Sequence, residues 1–559
     1  MGFVLVISRS LFPILALSVL TSFPAVAGDV ESPAAIDSSL VSTREPGQDS
    51  GQDAVLVNEG QPASSSDPDL SPDSHVLEQT RRQVSELAIE LSRLRDEVDS
   101  LKAGRRRGMK VKPDIYLRIR PEWTRNLASL GKAVESPVIG RTAGFDDDDC
   151  FSVSSRLQVG VTIDPAPGFR FKVLIQDSRR WGEEKDFRSN SNGTLDIFQA
   201  YMEFLDINKT GLNIRAGRSI MDLGSTIHVN SGSSGGTGQV FDGVWLNWFR
   251  KGVLTIDAFT TMVKTGIGPL LSDAVPEDWE SFSGIHLATD RPLKWLDIEA
   301  YGFYLDDAFA NITQKLGTVG GRVLLFPTDG LKLSVEAAAQ FGRVTAWDAD
   351  AVLQVKDHLA AVYLANASYQ FLKARTQPKI GLFFLYASGD STPWNGQSSA
   401  FKPVFGSTHN FLGYMDQLRP SGVWDIGLNF WMYPVKELTL NLDYHFFQQT
   451  GDGGFLQHFG TWAGNGSRNG VWTQDRGVLI PAGNSGFIGH ELDLLAMWRP
   501  EEWLEVAWAY SVFFPGAALD GAVIRGVVGT EGDIASWKDQ ATLGGRTAHR
   551  MLVWATLSY

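Results

Sequence analysis

Arginine and lysine side chains recur at every second position in several segments of the sequence. Arg118 and Arg120 alternate with apolar residues in one segment, and Arg170 and Lys172 do so in another. This spacing places the basic side chains on one face of an extended strand. Because a guanidinium pairs bidentately with a carboxylate, such a face is suited to binding anions. The chemistry indicated is reversible binding of an acidic solute.

The same alternation assigns further charged residues to this face. The basic candidates for solute contact are Arg118, Arg120, Arg156, Arg170, Lys172, Arg180, Arg215 and Arg218. The acidic candidates are Glu122, Glu203, Asp257, Asp297, Glu299, Asp425, Asp443, Glu491 and Asp493. We expect the basic set on the N-terminal side of a channel wall and the acidic set across from it, competing for the same arginines. The alternative is a lattice of salt bridges with no solute role.

Motifs of covalent catalysis or metal binding do not stand out in the sequence. His490 and Glu491 begin like a zinc-protease motif, but the second histidine is missing, and the glycine-rich segment 231–238 lacks the Gly-Lys-Ser/Thr ending of a phosphate loop. The sequence therefore predicts no catalytic residues, no metal site and no cofactor, and a barrel hydrolase is the disfavoured alternative. A formal net charge of -14 also argues against a nucleic-acid partner.

Strands must position these side chains, because from about residue 112 the apolar residues recur with a period of two. Many of these segments run about ten residues, the length a tilted transmembrane strand needs. Short and long connections alternate between them, and the last segment presents an apolar face that ends at the aromatic Tyr559. The pattern predicts an all-β fold, a transmembrane antiparallel β-barrel of about 18 strands over residues 112–559.

Three different segments precede the predicted barrel. Residues 1–27 have the charge, apolar run and small-residue ending of a signal peptide. Residues 28–75 have the composition of a disordered linker. Residues 76–103 carry a heptad pattern, which predicts a short coiled coil and a homo-oligomer joined through residues 77–101. The alternative for this segment is a periplasmic spacer or an anchor that grips the cell wall.

Several stretches, in order along residues 112–559, resemble the alginate export porin family. They are VLIQDSRRWG (173–182), LDIFQAYMEF (195–204), LNIRAGRSIMDLG (212–224), GQVFDGVWL (238–246), YASGDS (386–391), FKPVFGSTHNFLGYMDQL (401–418) and GHELDLLAMWRPEEWLEVAWAYSVFFPG (489–516). The resemblance implies an 18-stranded monomeric barrel with a charged lumen that secretes an acidic polysaccharide. The heptad segment departs from the family's pattern.

The sequence as a whole predicts a channel in the cell outer membrane. The expected partners are outer-membrane lipid and an anionic polysaccharide or small anionic solute, and the N-terminal segment is expected in the periplasm. A trimeric nutrient-uptake porin, general or anion-selective, is the alternative function. The two differ in oligomeric state and in the direction of transport.

Overall fold

The structure is a computed structural model, and it describes most of the chain beyond residue 108. The described residues are 109–126, 149–181, 194–232, 238–265, 279–291, 293–309, 312–347, 353–390, 395–406, 409–416, 418–450, 477–480, 486–519, 523–528, 536–542 and 545–559. The predicted signal peptide, linker and coiled coil lie outside them. Among the described residues, the larger compact unit is formed by those of Val111–Ile163 and Gly168–Tyr559, and the smaller one takes in Met109–Lys110 and Asp164–Pro167.

The described secondary structure consists almost entirely of β-strands. They are β1 (Lys110–Arg125), β2 (Cys150–Ala166), β3 (Phe169–Arg180), β4 (Thr194–Phe204), β5 (Leu212–Ser219), β6 (Phe241–Arg250), β7 (Leu254–Thr265), β8 (Trp279–Thr289), β9 (Leu296–Phe309), β10 (Ile312–Thr328), β11 (Leu331–Trp347), β12 (Leu353–Gln370), β13 (Lys379–Ala387), β14 (Gln397–Ser398), β15 (Val423–Val435), β16 (Leu438–Gln449), β17 (Gly477–Ile480), β18 (Phe487–Glu501), β19 (Leu504–Pro515), β20 (Val523–Val528), β21 (Ser536–Thr542) and β22 (Ala548–Ser558). A single 3₁₀ turn, Ile207–Lys209, joins β4 to β5. No helix among the described residues is long and apolar enough to cross a membrane.

One large sheet contains nineteen of these strands and closes on itself. Without the two-residue β14, which pairs in parallel with β12, eighteen strands remain in an antiparallel ring. The ring closes where β1 pairs with β22, with Ile119 opposite Ala555. The prediction of an 18-stranded barrel is therefore confirmed. The remaining strands form a separate sheet in the order β17-β20-β21.

The two faces of the barrel follow directly from the alternation in the sequence. In β2, Leu157 and Val159 are exposed on the outside, while Arg156 and Gln158, which alternate with them, are buried on the inside. The same holds in the last strand, where Leu557 and Tyr559 are exposed outside. Apolar side chains on the outer face suit lipid, and the polar ones stay within the wall.

The two ends of the barrel differ in their connections. At one end the strands are joined by tight turns, as between β15 and β16, where Val435 still pairs with Leu438, and between β18 and β19, where Glu501 pairs with Leu504. We call this the turn end. The long connections all lie at the opposite end, which we call the loop end. This is the asymmetry expected of an outer-membrane barrel.

Candidate functional site: a basic wall beside a plug of two loops

Basic side chains line the inside of the first five strands from the turn end to the loop end. We call this set the basic face; it comprises Arg118, Arg120, Arg156, Arg170, Lys172 and Arg215. Its inward orientation follows from the register, since Arg118 and Arg120 are buried on either side of Ile119, which is exposed outside. Arg180, at the loop end of β3, lies near enough to Arg120 and Glu122 to interact with their charges.

Glu203 is the carboxylate at the turn end of this face, and two arginines share it. Arg215 donates to it from Nε and Nη2 at 3.0 and 2.8 Å, and Arg170 Nη1 lies 3.7 Å away. The Arg215 guanidinium also lies over two rings, 4.7 Å from the centre of Tyr201 and 5.1 Å from that of Trp245. Such cation–π contacts hold an arginine in place while its partly exposed edge still faces the lumen.

Arg156 occupies the middle of the basic face. Its Nε donates to Gln176 at 2.8 Å, and its guanidinium lies 5.0 Å from the ring centre of Phe198. Nearer the turn end, Lys172 Nζ lies 3.6 Å from the carboxylate of Asp114. Arg156 thus binds a neutral amide in the middle of this face, and Lys172 binds a carboxylate nearer the turn end. Cations at these positions give this part of the wall local sites that attract an anion.

Two of the long loops fold into the barrel, which the sequence did not predict. The first inward loop comprises the described residues of 220–240 and the second those of 388–422. They pair with each other, because Val229 bridges Phe405 in parallel and the Asn230 amide donates to the Phe405 carbonyl at 2.9 Å. Together they form what we call the plug. Its apolar residues pack with inward-facing rings of the wall in one buried cluster.

The first inward loop binds the wall through His228. Its ring lies among the rings of Tyr301, Phe303 and Phe401, and Nε2 lies 3.1 Å from the Tyr301 hydroxyl. That hydroxyl donates to Glu336 at 2.7 Å. Burial lowers the pKa of His228 to about 3, so the imidazole is neutral in the seated plug.

The second inward loop binds the wall on the opposite flank through Tyr414, Met415 and Asp416. The amides of Tyr414 and Met415 donate to Asp493 at 3.3 Å and to Glu491 at 2.8 Å. Burial and the nearby carboxylates raise the pKa of Tyr414 well above its usual value, so its hydroxyl remains a donor. Asp416 binds Arg550 at 2.5 Å and His409 at 2.8 Å. This corner of the loop is therefore held to the wall by two backbone hydrogen bonds and by the ion pair of Asp416 with Arg550.

Two of the nine acidic candidates, Glu122 and Glu203, lie within the basic face on β1 and β4, and the other seven fall into two groups. In strand order they flank it, with Asp257, Asp297 and Glu299 on β7 and β9 on one side and Asp425, Asp443, Glu491 and Asp493 on β15, β16 and β18 on the other. The β18 strand is only three strands from β1 around the ring. In the ring of eighteen strands, β15 lies nine strands from β5, so Asp425 is across from Arg215, while the other acids of these two groups lie at intermediate positions.

The acidic candidates also have structural partners of their own. Asp425 binds His445 at 2.8 Å, and Asp443 accepts from Asn429 and Asn441. Asp257 accepts from Trp245 and Asn247, and Glu299 pairs with Arg322 at 2.5 Å. Asp297 accepts the backbone amide of Arg291 at the turn end. Glu122 binds both Arg120 and Arg550. Only Glu122 and Glu203 pair with members of the basic face through these contacts.

Arg218 is the basic candidate that lies elsewhere. It pairs in register with Ala200 and Asp242, on the side of the sheet where Met202 and Val244 are exposed. Its guanidinium binds Asp242 at 2.8 Å on that outer face. The reason is simple: Arg218 is an odd number of residues from the inward-facing Arg215, so the two side chains project to opposite faces.

Sequence reasoning missed Arg550, His228, Tyr414 and Asp416. Arg550 could have been found, because it lies on the polar face of the last strand, opposite the apolar side chains that lead to Tyr559. The other three belong to the inward loops, whose direction no periodicity encodes. Among the described residues, no cluster of three or more His, Cys, Asp or Glu is arranged to hold a metal ion.

Comparison with known proteins adds a family match. A family model described as alginate export matches residues 135–527. No curated protein matches the chain. Similar solved structures include three Pseudomonas aeruginosa proteins, each aligned over 80% of this chain: OccK11 (OpdR), 12% identical over 96% of its length with a TM-score of 0.44; OccK2 (OpdF) in complex with glucuronate, 13% identical over 96% with a TM-score of 0.44; and the outer membrane protein OpdK, 11% identical over 99% with a TM-score of 0.45.

Proposed function

The chain belongs to the alginate export family, and from this premise we propose that it passes an acidic polysaccharide along its basic face. The family and the closed barrel make it an outer-membrane channel. The solute class is the proposal. A uronate polymer carries one carboxylate per sugar ring, which is the group that arginine binds best.

The observation that carries this proposal is the sharing of Glu203 between Arg170 and Arg215. A transport site must bind the solute and also release it. Glu203 competes with an incoming carboxylate for both arginines, so neither contact to the solute becomes too strong. A polyanion can then move by exchanging one carboxylate partner for the next.

The placement of the plug supports the same route. The hydrogen bonds that seat the plug come from wall residues such as Tyr301, Gln340, Glu491 and Arg550, which lie on β9, β11, β18 and β22. The basic face lies on β1, β2, β3 and β5. A solute that follows the basic face therefore meets the plug where Gly238 lies against Arg156 and Asp416 lies near Arg120, away from most of the hydrogen bonds that seat the plug.

The orientation that we propose has the turn end and both termini on the periplasmic side and the loop end outside. Short turns and long loops have these positions in outer-membrane barrels. The N-terminal segment would then lie in the periplasm, and an exported polymer would enter at Arg170 and Arg215 and leave past Arg120. A trimer joined through residues 77–101 stays a prediction, which the native mass of the purified protein tests.

Current block by oligouronates tests the proposed solute. The purified protein is placed in a planar bilayer, and a defined oligouronate or an uncharged oligosaccharide of equal length is added on the turn-end side. We expect the oligouronate alone to block the current, and we expect Arg118→Ala combined with Arg120→Ala and Arg156→Ala to shorten each block at least ten-fold. Equal block by the uncharged sugar, or unchanged block in the variant, would refute the proposal.

A further inference from the structure

Four ion pairs lie on the outer face of the barrel near the loop end, two on β1 to β3 and two on β9 to β12. In each, a basic side chain binds an aspartate: Arg125 with Asp149 at 3.6 Å, Arg179 with Asp177 at 2.8 Å, Lys315 with Asp306 at 3.3 Å and Arg343 with Asp357 at 3.6 Å. We call this set the outer belt. It has no part in the channel, because its members lie on the outside of the wall.

The outward orientation follows from residues an even number of positions away along each strand, because their side chains project to the same face. Arg343 follows Phe341, which is 47% exposed, and Lys315 precedes Val319, which is 48% exposed. The side chains of Lys315 and Arg343 are themselves 50% and 72% exposed. Charged groups this exposed on the outer face of a transmembrane barrel are tolerated only where the hydrocarbon ends.

The height of the belt agrees with that boundary. On four strands the basic residue lies ten positions from an outward apolar residue at the turn end: Ile115 to Arg125, Phe169 to Arg179, Leu325 to Lys315 and Leu333 to Arg343. Ten residues at ~3.3 Å each, on strands tilted by about 40°, rise ~25 Å along the barrel axis. An outer-membrane barrel has an apolar band of about that height. The outer belt therefore lies at the level of the lipid headgroups on the loop side.

Lys315 and Arg343 are two cations of the outer belt that lie side by side on neighbouring strands. They are directly opposite each other in the register of β10 and β11. Like charges at directly opposed positions of an antiparallel pair repel and destabilise the sheet. Each binds one carboxylate on its far side, Asp306 and Asp357, and an anion bound between the two cations would offset the repulsion that remains.

Apolar side chains extend from this pair toward the turn end. Phe341 and Leu359 are cross-strand partners directly below Arg343 and Asp357, and Leu359 is 70% exposed. Tyr363 continues the same row and is 49% exposed. A ligand that fits both parts has an anionic headgroup at Lys315 and Arg343 and acyl chains along the apolar row.

We propose that Lys315 and Arg343 clamp a phosphate of an outer-leaflet glycolipid whose sugar headgroup is phosphorylated. Two adjacent cations match the charge and the several acceptor oxygens of a phosphate. The acyl chains pack along Phe341 and Leu359. The inference rests on the orientation given under the proposed function, with the loop end outside.

Lipid binding by the full-length protein in detergent tests this site. The protein is titrated with diphosphorylated lipid A, with the same lipid after removal of its phosphates, and with phosphatidylglycerol, and bound lipid is counted by native mass spectrometry. We expect diphosphorylated lipid A to bind at least ten-fold more tightly than the other two. Lys315→Ala with Arg343→Ala should remove this ten-fold preference.

The matched control changes two cations at the opposite end of the barrel. Lys436 binds Glu437 at 3.2 Å, and Arg499 binds Glu505 at 2.7 Å. The control variant, Lys436→Ala with Arg499→Ala, should bind lipid A as the unchanged protein does. A heat-dependent shift in electrophoretic mobility shows that this variant and the Lys315 and Arg343 variant are both folded barrels. Equal binding of the three lipids, or full binding by the Lys315 and Arg343 variant, would overturn the proposal. Anion selectivity, measured on the same samples, tests the proposed channel function independently of lipid binding.

Discussion

The guanidinium of Arg550 binds the carboxylate of Asp416 at 2.5 Å and so ties the last strand of the barrel to the second inward loop. The same guanidinium lies 3.0 Å from Glu122 on the first strand and donates to the Tyr414 carbonyl at 2.7 Å. A buried cation is tolerated only when its donors are satisfied in this way. One side chain therefore links the closure of the barrel to the seating of the plug.

Neutralising Asp416 should loosen the plug. Burial alone would raise the pKa of Asp416, but the charges of His409 and Arg550 outweigh burial and lower it, so the carboxylate is ionised at neutral pH. Asp416→Asn breaks a buried pair, which typically costs about 3–5 kcal/mol. We expect larger and more frequent current steps in planar bilayers. Glu437→Gln, which breaks an exposed pair at the turn end, is the control and should leave the current steady. A steady current in Asp416→Asn would show that this pair does not hold the loop.

Removing the charge of Glu203 should strengthen anion binding. Glu203→Gln leaves Arg170 and Arg215 without the carboxylate that they share. We expect the reversal potential in a salt gradient to move toward the anion, and we expect oligouronate blocks to last about ten-fold longer, equivalent to ~1.4 kcal/mol. Asp297→Asn changes an acid that accepts a backbone amide at the turn end and serves as control. Shorter blocks in Glu203→Gln would contradict the competition described for this residue.

Acid should release the first inward loop through His228. In the seated plug the pKa of His228 is lowered to about 3, whereas in the released loop it returns toward its ordinary value near 6.5. A lowered pKa means that seating is fully stable above pH 6.5 and weakens as the pH falls from 6.5 toward 3, by about 1.4 kcal/mol per unit.

The measurement is the fluctuation of the single-channel current in a planar bilayer, called noise below, between pH 7.5 and about 5. This range lies around the ordinary histidine pKa. We expect noise to rise on the acid side in the unchanged protein. His228→Gln keeps a group that can bind the Tyr301 hydroxyl but cannot take up a proton, so its noise should change less with pH. An equal rise in both proteins would assign the pH dependence to another group.

A methyl group at Gly413 should prevent the second loop from seating. Gly413 has φ +83, and a Cβ there would come within van der Waals overlap of the Glu491 carboxylate. The strain of the backbone alone costs ~1–2 kcal/mol for an L-residue. We expect Gly413→Ala to raise the mean conductance of the channel while the ring of barrel strands stays intact. Gly396→Ala, which meets no atom within 4 Å, is the matched control in the same loop. A normal conductance in Gly413→Ala would show that the loop adapts.

The barrel could be predicted because one short-range rule determines it. Leu157 and Arg156 project to opposite faces simply because they are neighbours in a strand, and repeating that rule yields the strand count, the outer face and most of the basic face. Arg218 was misplaced where the rule was not applied to its odd spacing from Arg215. The plug could not be predicted, because Tyr414 and His228 owe their positions to tertiary contacts between distant segments and not to periodicity.

The pairing of β1 with β22 has a consequence for how the chain assembles. Arg550 and Glu122 are 428 residues apart in sequence, so their contact forms only after the whole barrel has been synthesised and delivered. Until then two strand edges present unpaired amides and carbonyls, which invite aggregation. Contacts of such high sequence separation also form slowly. Assembly therefore requires something to cover these edges until closure, and a chain that ends before residue 548 cannot form the β1–β22 seam.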